Sequence, residues 1–226
     1  MANFRRLAVL NTIIDIGLIP LFYEENVETA QKIVTACLEG GARCIEFTNR
    51  GAQALHVFEQ LIRGFQDDPR LILGAGTIID AFTASLYIQL GANFIVGPTL
   101  DEDIAYTCNR RKIAYLPGCG NVNDISQAEK LGAEICKLFP GGQIGGPAFI
   151  KTVLGPMPWS CLMPTGGVAP QEDNVREWFQ AGAVCVGMGS NLITKEAVSR
   201  GDYQSITENV RRVLDWIREV RQEKSH

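Results

Sequence analysis

A Gly-Ala pair precedes an apolar run four times, and this recurrence constrains the fold more than any other feature of the chain. The copies are Gly41-Ala42 before RCIEF, Gly91-Ala92 before NFIV, Gly132-Ala133 before EICK and Gly182-Ala183 before VCVG. Glycine at such a position supplies the left-handed cap that ends a helix, and the apolar run after it opens a strand. Successive copies lie 50, 41 and 50 residues apart, room for about two strand–helix units of roughly 20 to 25 residues each. The repeat therefore predicts about eight units.

The rest of the chain supplies the missing units. Short apolar runs predict strands at 17–22, 43–48, 71–75, 93–96, 113–116, 134–139, 161–164 and 183–187. Amphipathic stretches predict helices at 27–39, 52–65, 81–90, 101–111, 123–131, 147–154 and 171–181, with a closing helix near 203–222. Alternation of this kind points to an α/β chain folded as a (β/α)8 TIM barrel. Residues 2–15 read as an extra N-terminal helix covering the barrel bottom. A doubly wound open sheet is the runner-up, but it needs a reversal of strand order that an evenly repeated unit does not suggest. No linker interrupts the pattern, so residues 1–226 read as a single domain.

Composition narrows the partners. The chain is 46% hydrophobic and carries a net charge of −4 with no long basic run, which argues against nucleic acid and anionic membrane. Its seven scattered cysteines never form CxxC, a usage that predicts a reducing compartment and neither disulfides nor a zinc site. The opening MANFRRLAVLNTIIDIG lacks the apolar core and cleavage site of a signal peptide, and no apolar run reaches membrane-spanning length. The expectation is a cytoplasmic protein.

In a barrel of this kind the functional groups come from the C-terminal ends of the strands. The sixth predicted strand poses a problem there: Lys137 sits among Ile135, Cys136, Leu138 and Phe139, where an ammonium is costly to desolvate. Alternation puts Ile135, Lys137 and Phe139 on one face. Burial favours the neutral form of an amine, which can attack a ketone, and the resulting protonated Schiff base accepts electrons from a breaking C–C bond without metal or cofactor. Such chemistry needs a proton shuttle, and Glu46, on the second strand with Thr48 and followed by Arg50, is the best-placed carboxylate. The spacing leaves a second reading open, in which Lys137 snorkels to solvent and Glu46 pairs with Arg43 or Arg50.

The glycine-rich ends of the last two strands carry a different signal. Pro164-Thr165-Gly166-Gly167-Val168 and Gly187-Met188-Gly189-Ser190-Asn191 let main-chain N–H groups approach an anion, with a short helix expected to begin near Ser190. That is the usual place for a barrel phosphate site, although two ligand-free tight turns would read the same way. Gly74-Ala75-Gly76-Thr77 offers a hydroxyl at the same rim, while Gly97-Pro98 and Pro117-Gly118-Cys119-Gly120 shape the mouth. Cys119 has no activating base nearby in sequence and reads as non-catalytic. His56 reads as a helix-surface residue and His226 as terminal, so neither a histidine triad nor a metal site is expected.

Together these segments resemble the 2-keto-3-deoxy-6-phosphogluconate (KDPG) / 4-hydroxy-2-oxoglutarate aldolase family of class I Schiff-base lyases. The motifs are Ile45-Glu46-Phe47-Thr48-Asn49-Arg50, Gly74-Ala75-Gly76-Thr77, Gly97-Pro98, Leu116-Pro117-Gly118, Cys136-Lys137-Leu138-Phe139-Pro140 and Pro164-Thr165-Gly166-Gly167-Val168. The resemblance implies a (β/α)8 barrel that cleaves a phosphorylated keto acid through a Lys137 imine, with Glu46 as general acid and base acting through a water. It further implies Arg50 and Thr77 at the keto-acid carboxylate, Pro98 at the substrate and Phe139 beside the imine. Thr165 is implied at the substrate hydroxyl, with Gly166, Gly167, Gly189 and Ser190 at the phosphate. No cofactor and no metal are implied, and a homotrimer is. One departure stands out: where many members carry arginine at the end of the first strand, this chain has Leu21-Phe22-Tyr23. The competing expectations are a sugar-phosphate isomerase or epimerase and a non-catalytic barrel that binds a phosphometabolite.

Overall fold

The computed structural model describes residues 2–224, so the terminal His226 lies outside the described residues. A first helix, α1 (Arg6–Ile16), precedes β1 (Leu18–Phe22), and helices and strands then alternate. They run α2 (Val27–Glu39), β2 (Cys44–Thr48), α3 (Ala54–Gly64), β3 (Ile72–Gly76), α4 (Ala81–Leu90), β4 (Phe94–Val96) and α5 (Glu102–Arg111). The second half continues with β5 (Ala114–Leu116), β6 (Gly118–Cys119), α6 (Val122–Lys130), β7 (Cys136–Leu138), α7 (Gly146–Leu154) and β8 (Leu162–Pro164). It ends with α8 (Glu172–Ala181), β9 (Val186–Met188), α9 (Lys195–Arg200) and α10 (Tyr203–Lys224).

The recurring glycines do what their sequence context requires. Gly41, Gly91, Gly132 and Gly182 all take positive φ, between 85° and 115°, closing each helix where a side chain would be strained. At the opposite ends, Asn26, Asp80, Asp101 and Asn121 each accept a hydrogen bond from a backbone N–H in the first turn of the helix that follows. Each cap satisfies one of the donors that a helix start leaves unpaired.

All strand pairs are parallel, and the sheet is curled. Six strands follow the order β5-β4-β3-β2-β1-β9, and three follow β6-β7-β8. β1 to β5 are neighbours in chain order, so the reversal that a doubly wound sheet requires is not there. The expected fifth strand is divided: Pro117 separates β5 from β6, because proline has no N–H to give to a ladder. Cys119 consequently belongs to a strand and the core rather than to a loop. Two links join the sheets near β9, a parallel bridge from Thr165 to Gly187 and a bond from Val184 N to Leu162 O at 3.1 Å.

Two apolar layers result. The larger lies between strands and helices, with α10 packed on α8 and α2. The smaller lies inside the curl, where Ile19, Cys44, Ile72, Leu116, Ile135 and Met163 meet Val9, Leu10 and Ile13 of α1. The N-terminal helix thus seals the end of the curl at which the strands begin, as expected. Among the described residues no helix is long and apolar enough to cross a membrane.

Candidate active site

β2 and β7 carry the two reactive candidates. Ile135 belongs to the inner apolar layer, and strand alternation sends Lys137 to the same inward side, one step nearer the strand's C-terminal end. Lys137 is only 6% exposed, and its Nζ stands 5.2 Å from the centre of the Phe139 ring. It does not snorkel to solvent.

Glu46 is 1% exposed. Its Oε1 packs against Gly76, where a Cβ would lie 1.7 Å away, so only glycine leaves room for it. Its Oε2 is buried and accepts no hydrogen bond from another protein group, which leaves that oxygen open to a water or a ligand. Neither arginine weighed as a partner takes it. Arg43 donates to the carbonyls of Pro69 and Arg70 at 3.1 and 3.3 Å, and Arg50 turns to Thr77 Oγ1 in a long contact of 3.5 Å.

Arg50 is held by the loop after β2, where Asn49 N donates to Gly76 O at 2.8 Å and Asn49 Oδ1 accepts from Tyr87 Oη at 2.9 Å. Thr77 has φ 59°, a left-handed conformation costly for a β-branched residue and found mainly where function requires it. The carboxylate-binding pair implied by the family resemblance is therefore together in space.

Above these groups opens a cavity of about 790 Å³. Arg50, Phe139, Thr165, Gly166, Gly167, Gly189 and Ser190 line it, as the sequence suggests. Lys137 and Glu46 lie one alternation deeper along their strands than Phe139 and Thr48, which are on the wall. Thr165 points its Oγ1 at Gly187, where a Cβ would approach to 2.3 Å, and that oxygen too is buried without a partner. The two glycine loops are tied together by Asn191 Nδ2, which donates to Val168 O at 3.2 Å.

One expectation about the glycine loops does not hold. No helix begins at Ser190: the N–H groups of Leu192 and Ile193 both go to Gly189 O, making a turn, and α9 starts only at Lys195. The glycine after β9 ends the strand without supplying a helix cap, so the helix waits for Thr194, whose Oγ1 accepts from Ala197 N. Thr77 and Pro98 are not on the cavity wall. Pro98 instead presses its carbonyl on Gly118, where a Cβ would come within 2.0 Å of it. Conversely, Glu24 and Lys195 line the cavity without having been singled out, because a turn beyond a strand end, which holds Glu24 and leads to Lys195 at the start of α9, carries no period from which to read direction.

Other nucleophiles and ligands are poorly provided. Burial pushes the thiols of Cys37, Cys44 and Cys108 up to about 12, which withholds the reactive thiolate. Cys119 is wholly buried. Among the described residues no group of three or more His, Cys, Asp or Glu side chains could hold a metal ion.

Known proteins resemble this chain over most of its length. The family model for KDPG and KHG aldolase matches residues 9–209. A 2-dehydro-3-deoxy-phosphogluconate aldolase of Pseudoalteromonas atlantica is 31% identical over 84% of this chain and 86% of its own. One from Pseudomonas aeruginosa is 32% identical over 82% of each chain. A KDPG aldolase crystal structure from Legionella pneumophila, with pyruvate captured at low pH as a covalent carbinolamine, superposes with TM-score 0.80 at 27% identity. It covers 87% of this chain and 93% of that one. The chain belongs to the KDPG and KHG aldolase family.

Proposed function

We propose that this chain is a class I aldolase that cleaves 2-keto-3-deoxy-6-phosphogluconate to pyruvate and glyceraldehyde 3-phosphate, with Lys137 as the Schiff-base nucleophile. The same chemistry extends to 4-hydroxy-2-oxoglutarate. The observation that carries the assignment is an amine buried at the strand ends beside the Phe139 ring, next to a cavity that already holds an arginine and two glycine loops.

The reaction then runs as follows. Lys137 Nζ attacks the C2 ketone, and loss of water from the carbinolamine gives an iminium. A base takes the proton of the C4 hydroxyl, the C3–C4 bond breaks, and its electron pair neutralises the iminium as an enamine. Glyceraldehyde 3-phosphate leaves. Protonation of the enamine carbon and hydrolysis of the imine release pyruvate and restore the amine. Glu46 serves as base and then acid, and its unpartnered Oε2 fits a group that exchanges protons through a water. Arg50, supported by Thr77, holds the keto-acid carboxylate, Thr165 Oγ1 meets a substrate hydroxyl, and Gly166, Gly167, Gly189 and Ser190 receive the phosphate. Phe139 packs beside the imine, while Pro98 acts at one remove by shaping the chain around Gly118.

We infer further that the two sheets close into one eight-stranded barrel, with β5 and β6 as one strand bent at Pro117; the Thr165–Gly187 bridge supports closure. The chain reads as one domain that assembles as a homotrimer. Phe82 and Leu86, four apart on α4, are 86% and 53% exposed, and Ile79 just before that helix is 62% exposed; apolar side chains left in the open there suit a subunit contact. Seven free cysteines, six of them buried, fit a cytoplasmic location.

The test is a coupled assay of pyruvate release from a panel of 2-keto-3-deoxy acids. Lys137→Ala is expected to abolish release, and Glu46→Gln to lower kcat by about 10² to 10⁴. Full activity of the Lys137→Ala variant would sink the assignment.

A further inference from the structure

We propose that Lys195 is the side-chain cation that meets the distal anion of the substrate and thereby sets the preference for phosphorylated over unphosphorylated substrates. The inference rests on reading the cavity as an aldolase site and names the residue that discriminates at its far end.

Three charged side chains line the cavity: Glu24, Arg50 and Lys195. Arg50 leans toward Thr77, which commits it to the keto-acid end. Glu24, whose Oε1 accepts from Asn26 N at 2.9 Å, adds a negative charge to the wall. The glycine loops offer N–H groups but no net charge, while a phosphate monoester carries roughly −1.5 to −2 at neutral pH. Lys195 is the remaining cation.

Its backbone is fixed to the phosphate loop. Leu192 and Ile193 are buried and both donate to Gly189 O, and Thr194 caps α9 through Ala197 N at 3.1 Å. Lys195 is therefore held at a set distance along the chain from Gly189 and Ser190. Among the described residues no carboxylate lies within 4.0 Å of its amine. The charge is available to a ligand rather than spent on an internal pair.

The experiment is aldol condensation of pyruvate with glyceraldehyde 3-phosphate and, separately, with glyceraldehyde. The readout is the ratio of the two kcat/KM values. Lys195→Ala is expected to lower this ratio about tenfold, through KM for the phosphorylated acceptor, as expected for one lost charge-assisted contact. Lys195→Arg is expected to keep the ratio within about twofold, since the charge is retained. An unchanged ratio in Lys195→Ala, or equal loss on both acceptors, overturns the role of Lys195 while leaving the aldolase reading intact. If the wild-type enzyme condenses neither acceptor, the aldolase reading falls and this role falls with it.

Discussion

At the scale of single residues, the site depends on what is absent beside Glu46. The carboxylate occupies the space a Cβ at position 76 would fill, and the conflict involves Oε1 at 1.7 Å together with Cδ at 2.3 Å. Alanine there must push the side chain away from its place, at a cost of about 1 to 3 kcal/mol for overpacking. We expect Gly76→Ala to fold with a lowered urea midpoint and to lose far more activity than stability; wild-type turnover in that variant would show that the position of Glu46 is immaterial. The proposed pair, Lys137 and Glu46, is legible in the sequence, because a lysine and a glutamate inside apolar strands are conspicuous. Glu24 and Lys195 are not, since their approach to the cavity is set by turns after β1 and β9. The contact of Pro98 with Gly118 likewise joins two strand ends that no local pattern connects.

At the scale of elements, the Gly-Ala repeat sets the alternation of helix and strand. Gly182 shows the constraint most clearly: its φ is 112°, and a Cβ would stand 2.3 Å from Leu154 Cδ1 of α7. Gly182→Ala is therefore expected to cost about 1 to 3 kcal/mol, read as a lower urea midpoint with an unchanged slope. A midpoint equal to wild type would mean that the left-handed cap is dispensable. The helices follow the sequence to within a residue or two at most ends, helped by end signals such as the Asp80 cap and the left-handed Gly91 that bound α4. Strand extents are less readable. β1, β2 and β3 are buried along their whole length, so no alternation of polar and apolar residues distinguishes inward from outward, and register alone decides it. The run at 134–139 shortens to Cys136–Leu138, and that at 183–187 becomes Val186–Met188. The break at Pro117 follows from a missing N–H that the apolar pattern around it conceals.

At the scale of the whole molecule, the fold has a closed end and an open end. Val9, Leu10 and Ile13 of α1 cover the inner apolar layer, while the cavity and its glycine loops lie at the other side of that layer. Phe82 is 86% exposed, and the proposed trimer would cover it. For the proposed trimer, Phe82→Asp is expected to shift the sedimentation coefficient from trimer to monomer; a trimer that persists would place the contact elsewhere, and a monomeric wild type would overturn the assembly. Everything in the proposed chemistry nevertheless converges on one amine. The most direct measurement is borohydride reduction in the presence of pyruvate, followed by peptide mass mapping. The account predicts one stable adduct, on Lys137, and none in Lys137→Ala; an adduct on another lysine, or none on the active wild-type enzyme, would contradict it.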